Sequence, residues 1–234
     1  LIPKTIFQSW KDNVNWPKNS PFPIQEQVQS WVEMNPDFKY RFFSDDDCFD
    51  FVKTEFPDIA SLYETIPPIK RADLWRYLVI YTYGGVYVDI DTVCTKPLEG
   101  LLTPNEEFIT GVEIPADQGR IGQDQYTNWV VIAKPKHPIL KTMIEKTVQK
   151  LEEEDHQQYE SLSSKERKLN VLGTTGPVHW SQIIRGHSKP ETLNIGPEAW
   201  FAQSRRYHSA LKYYSSKREC RLWDKKIAHY KTSL

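Results

Sequence analysis

Apolar residues in this chain recur at helical spacing and then, at a pair of glycines, switch to strict alternation. Over residues 72 to 83 no breaker interrupts, and Leu74, Leu78 and Tyr81 fall at i, i+4 and i+7, the stripe of an amphipathic helix. Gly84 and Gly85 end it. Val86, Val88 and Ile90 then alternate with Tyr87, Asp89 and Asp91, the period of a strand, which puts both acids on one face. Strand geometry spaces their Cα atoms about 7 Å apart. The two carboxylates are therefore expected to converge on one hard cation, or on a metal and a ribose. On the preceding helix Asp73, Arg76 and Tyr77 stand at i, i+3 and i+4 and share a face. A carboxylate beside a guanidinium offers acceptors and a rigid donor fork to vicinal hydroxyls, although on a solvated helix such a pair is only a weak surface contact.

The remaining pattern alternates strands with helices. Residues 1 to 10 read as a strand carrying Gln8 and Trp10 to its exit, residues 12 to 23 as a loop rich in Asn, Pro and Ser, and residues 24 to 35 as a helix closed by Pro36. In α/β sheets ligands bind beyond the carboxyl ends of strands, so Trp10 is a candidate to stack on a base, with core packing as the alternative. A short strand at 40 to 43 precedes Ser44-Asp45-Asp46-Asp47. There Ser44 stands three residues before Asp47 and an apolar helical pattern follows, so these acids are expected to serve a helix N-terminus. Further strands are expected at 108 to 113 and 129 to 133, separated by a polar active-site loop at 114 to 126. A long helix opens at Pro138, and the charged run from 152 to 170 reads as a solvated helix end and a mobile loop. Residues 173 to 180, GTTGPVHW, read as a loop able to approach a ligand closely before another helix.

Length allows one sizeable core, and one domain over residues 1 to 234 is expected. A net charge of −1 has no basic excess, which argues against a nucleic-acid backbone or an anionic membrane as main partner. No apolar run reaches the roughly 20 residues of a membrane span. The chain begins LIPKTIFQSW without an initiator methionine, so a targeting segment is expected ahead of Leu1. Cys48, Cys94 and Cys220 make at least one unpaired thiol, and none has CxxC spacing. There is no P-loop, GxGxxG or nucleophile elbow, which leaves ATP hydrolysis, dinucleotide binding and serine or cysteine hydrolysis without support.

IPKTIFQSWK, RADLWRYLVIYTYGGVYVDID, NWVVIAKPKHPIL, TGPVHW and HYKTSL resemble, in that order, the glycosyltransferase family that includes the initiation-specific α-1,6-mannosyltransferase of the fungal Golgi. More distantly they resemble the sugar-binding region of the clostridial glucosylating toxins. The resemblance implies an α/β GT-A fold, a Rossmann-like mixed sheet flanked by helices. It implies a nucleotide-sugar donor, GDP-mannose favoured over a UDP-sugar, a glycan or glycolipid acceptor, retention of configuration, and Mn2+ or Mg2+. By the same resemblance, Asp73, Arg76, Asp89 and Asp91 form the catalytic group and Asp89, Asp91 and His229 hold the metal. Gln8, Trp10, Arg71 and Tyr87 join Asp73, Arg76 and Asp89 around the donor, and Asp124 and Asn128 are acceptor-side candidates; Lys231, two residues after His229, is a candidate to meet the diphosphate, with a solvated tail lysine as the alternative. Residence in the Golgi lumen as a type II membrane protein, anchored ahead of this segment, is expected on the same ground. Two rivals stand beside this reading: a metal-dependent phosphohydrolase, which would also use paired carboxylates but with a second metal cluster, and a carbohydrate-binding domain without turnover.

Overall fold

The computed structural model describes residues 1–11, 24–94, 96–117, 122–188, 190–196 and 211–213. Its main sheet holds β1 (Thr5–Ser9), β2 (Lys39–Phe43), β3 (Gly85–Val88), β5 (Phe108–Ile114), β6 (Gln125–Tyr126), β7 (Val130–Ala133) and β8 (Asn194–Gly196), while β4 (Thr92–Cys94) pairs with β9 (Leu211–Tyr213) outside it. The order is β2-β1-β3-β7-β5-β6, with β8 on β5. β1 runs parallel to β2 and β3, and β7 runs antiparallel to β3 and to β5. It follows that β1, β2, β3 and β5 all point the same way, and their carboxyl ends share one edge of the sheet. That is the edge where ligands bind in α/β folds.

Alternation along these strands separates two apolar layers. Phe7, Tyr87 and Val131 face one side with α2 (Asp45–Glu55), α4 (Pro68–Tyr83), α5 (Pro138–Glu152) and α8 (Pro177–Arg185); Ile6, Val86, Val88, Val130 and Ile132 face the other, with Trp31 of α1 (Ile24–Met34). β3 and β7 are buried at every position, so they read as continuous apolar runs. The helix expected to be amphipathic is not: in α4 the run Asp73 to Ile80 is buried residue by residue. The reason is its place, packed against α5, α2 and β7 together, which leaves it little solvent face.

The turn between α4 and β3 demands its glycines. Gly84 has φ +63°, and a Cβ there would lie 2.6 Å from Pro135 Cδ; Gly85 has φ +106°, and a Cβ would lie 2.6 Å from the Thr5 carbonyl. Ser44 caps α2 as expected: its hydroxyl accepts from the Asp47 amide, and the Asp47 carboxylate accepts from the Ser44 amide at 2.9 Å. The charged run after α5 differs from expectation. It folds into α6 (His156–Ser161) and α7 (Ser164–Thr174), the latter started by a second capping box from Ser163 and Glu166. One buried cation ties this segment to α4: Lys70 is fully buried, forms an ion pair with Glu154 and lies 4.3 Å from the Tyr159 ring centre. Burial lowers its pKa, and Glu154 opposes that shift. A short α3 (Ala60–Thr65) completes the described helices. Cys48 and Cys94 are buried free thiols.

Candidate active site

The acid pair is reached through a turn, which corrects the expected strand geometry. β3 ends at Val88, one further rung joins the Asp89 amide to the Trp129 carbonyl at 2.9 Å, and the chain then reverses into β4. Thr92 causes the reversal: its amide and its hydroxyl both donate to the Asp89 carbonyl, at 3.1 and 2.6 Å. Asp89 and Asp91 are thus related by a tight turn and not by a pleat. Asp91 is buried, and the Asp89 side chain is 26% exposed.

Arg76 organises the charges around Asp89. Its Nη2 lies 3.0 Å from Asp73 Oδ1 and 3.1 Å from Asp89 Oδ1, while Nη1 donates to the Asn128 carbonyl at 2.9 Å. One guanidinium therefore joins two carboxylates that would otherwise repel in a buried place. Burial opposes its positive charge, but Asp89 and Asp73 more than offset that and raise its pKa. The Tyr87 hydroxyl donates to Asp89 Oδ1 at 2.8 Å, and burial, then the charge of Asp89, holds that phenol protonated well above its ordinary range. The face expected on α4 is real, and it is completed from far along the chain. Thr175 donates its hydroxyl to Asp73 Oδ2 at 2.7 Å, and its carbonyl accepts from Tyr77 at 2.9 Å.

The other sequence candidates fall in different places. Gln8 is fully buried behind the acid turn, donating to the Asp89 carbonyl at 3.3 Å and accepting from the Tyr40 hydroxyl at 2.9 Å, so it supports the turn where donor contact was expected. Trp10 is half-buried at the β1 exit, its amide on the Phe43 carbonyl. Arg71 stands earlier on α4 and is outside the ion-pair network of the described residues. Asn128 joins the cluster through Arg76 and, at 3.4 Å, through the Tyr77 hydroxyl. The Asp124 carboxylate accepts from the Ala116 amide at 2.8 Å and closes the 114 to 126 loop upon itself. His229 and Lys231 lie outside the described residues. The 173 to 180 segment is a closed corner between α7 and α8 and not an open loop. A Cβ on Gly176 would come within 3.0 Å of the Val171 carbonyl.

Sequence reasoning missed Glu113. It sits at the end of β5, on the same edge as Asp89, and accepts from Gln125 Nε2 at 3.2 Å. Burial raises its pKa and the charge of Asp89 adds to this, against the hydrogen bond from Gln125. A single glutamate closing a strand has no pattern to mark it; only the strand order does.

Asp89 and Asp91 offer hard oxygen donors, the chemistry that suits magnesium or manganese, and such ions keep several positions for phosphate and water. Among the described residues no cluster of three His, Cys, Asp or Glu gathers around a metal position. Asp89 and Asp91 would supply two oxygen donors to such an ion, Asp91 from a buried position and Asp89 from a partly exposed one.

Residues 21–109 match the family described as glycosyltransferase sugar-binding region containing DXD motif. The chain carries that region. It is 29% identical over 202 residues to the initiation-specific alpha-1,6-mannosyltransferase of Candida albicans, covering 78% of this chain and 52% of that protein. It is 28% identical over 190 residues to the mannosyl phosphorylinositol ceramide synthase SUR1 of Saccharomyces cerevisiae, covering 81% and 43%. The chain thus spans about half the length of these curated relatives. Its fold is similar to the UDP-bound glycosyltransferase domain of the YGT toxin, with TM-score 0.56 at 9% identity over 85% of this chain and 80% of that one. The mixed sheet with flanking helices around the sugar-binding region is a GT-A fold. Glycosyltransferases with this fold and a DXD motif generally bind a divalent metal.

Proposed function

We propose that this chain is the catalytic part of a glycosyltransferase that moves a mannosyl group from GDP-mannose to a glycan or glycolipid acceptor, with retention of configuration. The observation that carries the reading is Arg76, which joins Asp73 to Asp89 from the helix that faces the acid turn. Glycosyl transfer separates a nucleoside diphosphate from an anomeric carbon that becomes cationic, so a site must stabilise both charges. In this reading Asp89 and Asp91 would hold a manganese or magnesium ion, which when bound would supply positive charge for the departing phosphate. Asp73 accepts hydrogen bonds from sugar hydroxyls. Arg76 fixes that carboxylate and pairs with Asp89 Oδ1, and Tyr87 orients the same oxygen.

In front-face attack the acceptor hydroxyl enters on the side the phosphate leaves, bonds to the anomeric carbon as the carbon–phosphate oxygen bond breaks, and gives its proton to that phosphate oxygen, so configuration is retained without a separate base. Trp10 at the β1 exit stacks on the donor base, and Asn128 lines the sugar side. The similarity to mannosyltransferases supports mannose as the donor sugar, and Golgi residence of the full-length protein goes with it. The second reading, a UDP-sugar donor, is favoured by the fold likeness to a domain solved with UDP.

The test is donor hydrolysis and transfer with GDP-mannose and UDP-glucose, each with manganese and with EDTA. Manganese-dependent release of GDP from GDP-mannose at a rate well above that from UDP-glucose is the expected result. The reverse preference selects the second reading. Metal-independent phosphate release from a simple phosphomonoester, or binding of nucleotide sugar without any turnover, overturns both.

A further inference from the structure

Two residues, Thr175 and Gly176, join α7 to α8, and backbone bonds build the corner they turn. The Thr175 and Gly176 amides both donate to the Val171 carbonyl, at 3.0 and 2.8 Å, and the Trp180 amide donates to the Gly176 carbonyl at 3.0 Å. Side chains from elsewhere then fasten it. Tyr77 donates to the Thr175 carbonyl at 2.9 Å, Lys150 to the Gly173 carbonyl at 2.8 Å, and the Trp180 indole to the Thr127 carbonyl at 2.8 Å. None of these bonds uses the Thr175 side chain. Its hydroxyl, on a residue with 0% exposure, has one proton to give; the Val171 carbonyl lies 3.5 Å away and Asp73 Oδ2 2.7 Å away. The short bond to the carboxylate takes it.

Asp73 needs that bond to be defined. The last torsion of an aspartate is broad, so nothing within the residue fixes the plane of its carboxylate. Contact at one oxygen leaves the plane free to turn about it, and contact at both oxygens fixes it. Arg76 Nη2 reaches Oδ1 at 3.0 Å, and Thr175 reaches Oδ2. The same Nη2 lies 3.1 Å from Asp89 Oδ1, so Asp73 shares its guanidinium with the acid turn. Thr175 therefore ends a line of contacts, from its hydroxyl through Asp73 and Arg76 to Asp89, and anchors that line to a corner the backbone has already built. A β-branched side chain suits the task, because its stiff χ1 presets where the hydroxyl points.

We propose that Thr175 is a positioning residue for the donor sugar: its hydroxyl holds the Asp73 carboxylate in the plane from which it accepts hydrogen bonds from the sugar. This rests on the transferase reading and deepens it, because it assigns the corner between α7 and α8 to recognition of the hexose and not of the nucleotide. A role confined to stability, tying that corner to α4, is the competing account.

The experiment measures affinity for GDP-mannose and for GDP, both with manganese, and kcat and KM for GDP-mannose hydrolysis. Wild type, Thr175→Val, Thr175→Ser and Ser181→Ala are compared, each at a temperature where it is folded. Ser181→Ala is the stability control: it removes another buried hydroxyl of this region, one that accepts from the Tyr126 amide at 2.8 Å and donates to the Pro177 carbonyl. In Thr175→Val, GDP-mannose affinity and kcat/KM are expected to fall at least about tenfold while GDP affinity stays within about twofold, since a supporting contact acts through the geometry of the group it holds. Thr175→Ser is expected to recover both to within about threefold of wild type, and Ser181→Ala to keep them. Equal weakening of GDP and GDP-mannose, wild-type constants in Thr175→Val, no recovery in Thr175→Ser, or the same selective loss in Ser181→Ala each overturns the inference. Should Thr175→Val not fold, Thr175→Ala is read in its place; failure of both would show that the hydroxyl builds the corner itself, and overturns the inference too. A wild-type protein that binds no nucleotide sugar overturns the transferase reading first, and this one with it, whereas a wild type that prefers UDP-glucose has the same ratio read with UDP-glucose and UDP.

Discussion

At Asp45 to Asp47 the acids stand at the open amino end of α2, exposed, with Asp47 folded back on Ser44 in a capping box. At Asp89 to Asp91 they follow a fully buried strand, and a buried arginine and a tyrosine hydroxyl meet Asp89 Oδ1. Both triplets lie within the region matched by the sugar-binding family. The motif is the same and the surroundings are opposite. In the first, Asp47 is held by the Ser44 amide and hydroxyl, and Asp45 and Asp46 stand exposed in the first turn, where a helix's amino end favours negative charge. In the second, the answering groups come from α4, from β3 and from the segment before β7. Such a cluster costs desolvation that local structure does not require. The difference teaches that Asp-x-Asp is informative only with its supporting elements in view.

The largest test of this contrast is removal of the acids themselves. Asp89→Ala and Asp91→Ala are each expected to lower manganese-dependent transfer by roughly 10²- to 10³-fold, the scale of lost charge stabilisation in a transition state. Asp89→Ala also leaves the buried Arg76 and the Tyr87 hydroxyl short of a partner, so its melting temperature is expected to fall by several degrees, and rates are compared at a temperature where each variant is folded. Near-normal rates in either variant would place the chemistry elsewhere and break the comparison.

Next comes the guanidinium that separates the two regions. Arg76→Lys keeps the charge but loses the fork that reaches Asp73, Asp89 and the Asn128 carbonyl together. Transfer is expected to fall about a hundredfold, while calorimetric affinity for free GDP changes less than about threefold, because the partner of this face is the sugar. Equal weakening of both would mean that α4 holds the phosphates.

Much of this was legible before any coordinates. The change of period at Gly84 marked the acid-bearing segment, and Asp73, Arg76 and Tyr77 were brought to one face by helical spacing alone. The capping role of Ser44 and Asp47 followed from a local rule and holds in the structure. What escaped depends on distance along the chain. Thr92 ends β3 early through a hydroxyl that strand periodicity ignores. α7 carries little apolar pattern and is ordered from its capping box and from Asn170, which donates to Glu154 at 2.5 Å. Glu113 acquires meaning only once β5 is known to lie one strand from β3.

The smallest effect sharpens the other side of the contrast. Ser44→Ala is expected to destabilise the protein by about 0.5 to 2 kcal/mol in urea titration and to leave turnover unchanged. The Ser44 hydroxyl and amide hold the Asp47 carboxyl below its ordinary range, against a small opposing effect of burial. The unfolded chain therefore takes up this proton first. The contribution is present above the unfolded value of about 3.9, and is lost as pH falls through the lower folded value. Asp47→Asn should flatten that acid limb, weakly, because the group is exposed and screened. A turnover defect in Ser44→Ala at unchanged stability would give the first triplet a role it is denied here.

The bond from Thr175 to Asp73 joins residues 102 positions apart, and the bond from Tyr77 to Thr175 spans 98. A growing chain that has reached the end of β5 already contains Asp73, Arg76, Asp89 and Asp91, yet it lacks the hydroxyl and carbonyl that fix the first turn of their arrangement. Contacts of such sequence separation cost more loop-closure entropy than those within α4 or β3. The acids are synthesised well before the groups that restrain them, and a fragment ending at residue 109 would carry the motif without the Thr175 contacts to Asp73 and Tyr77.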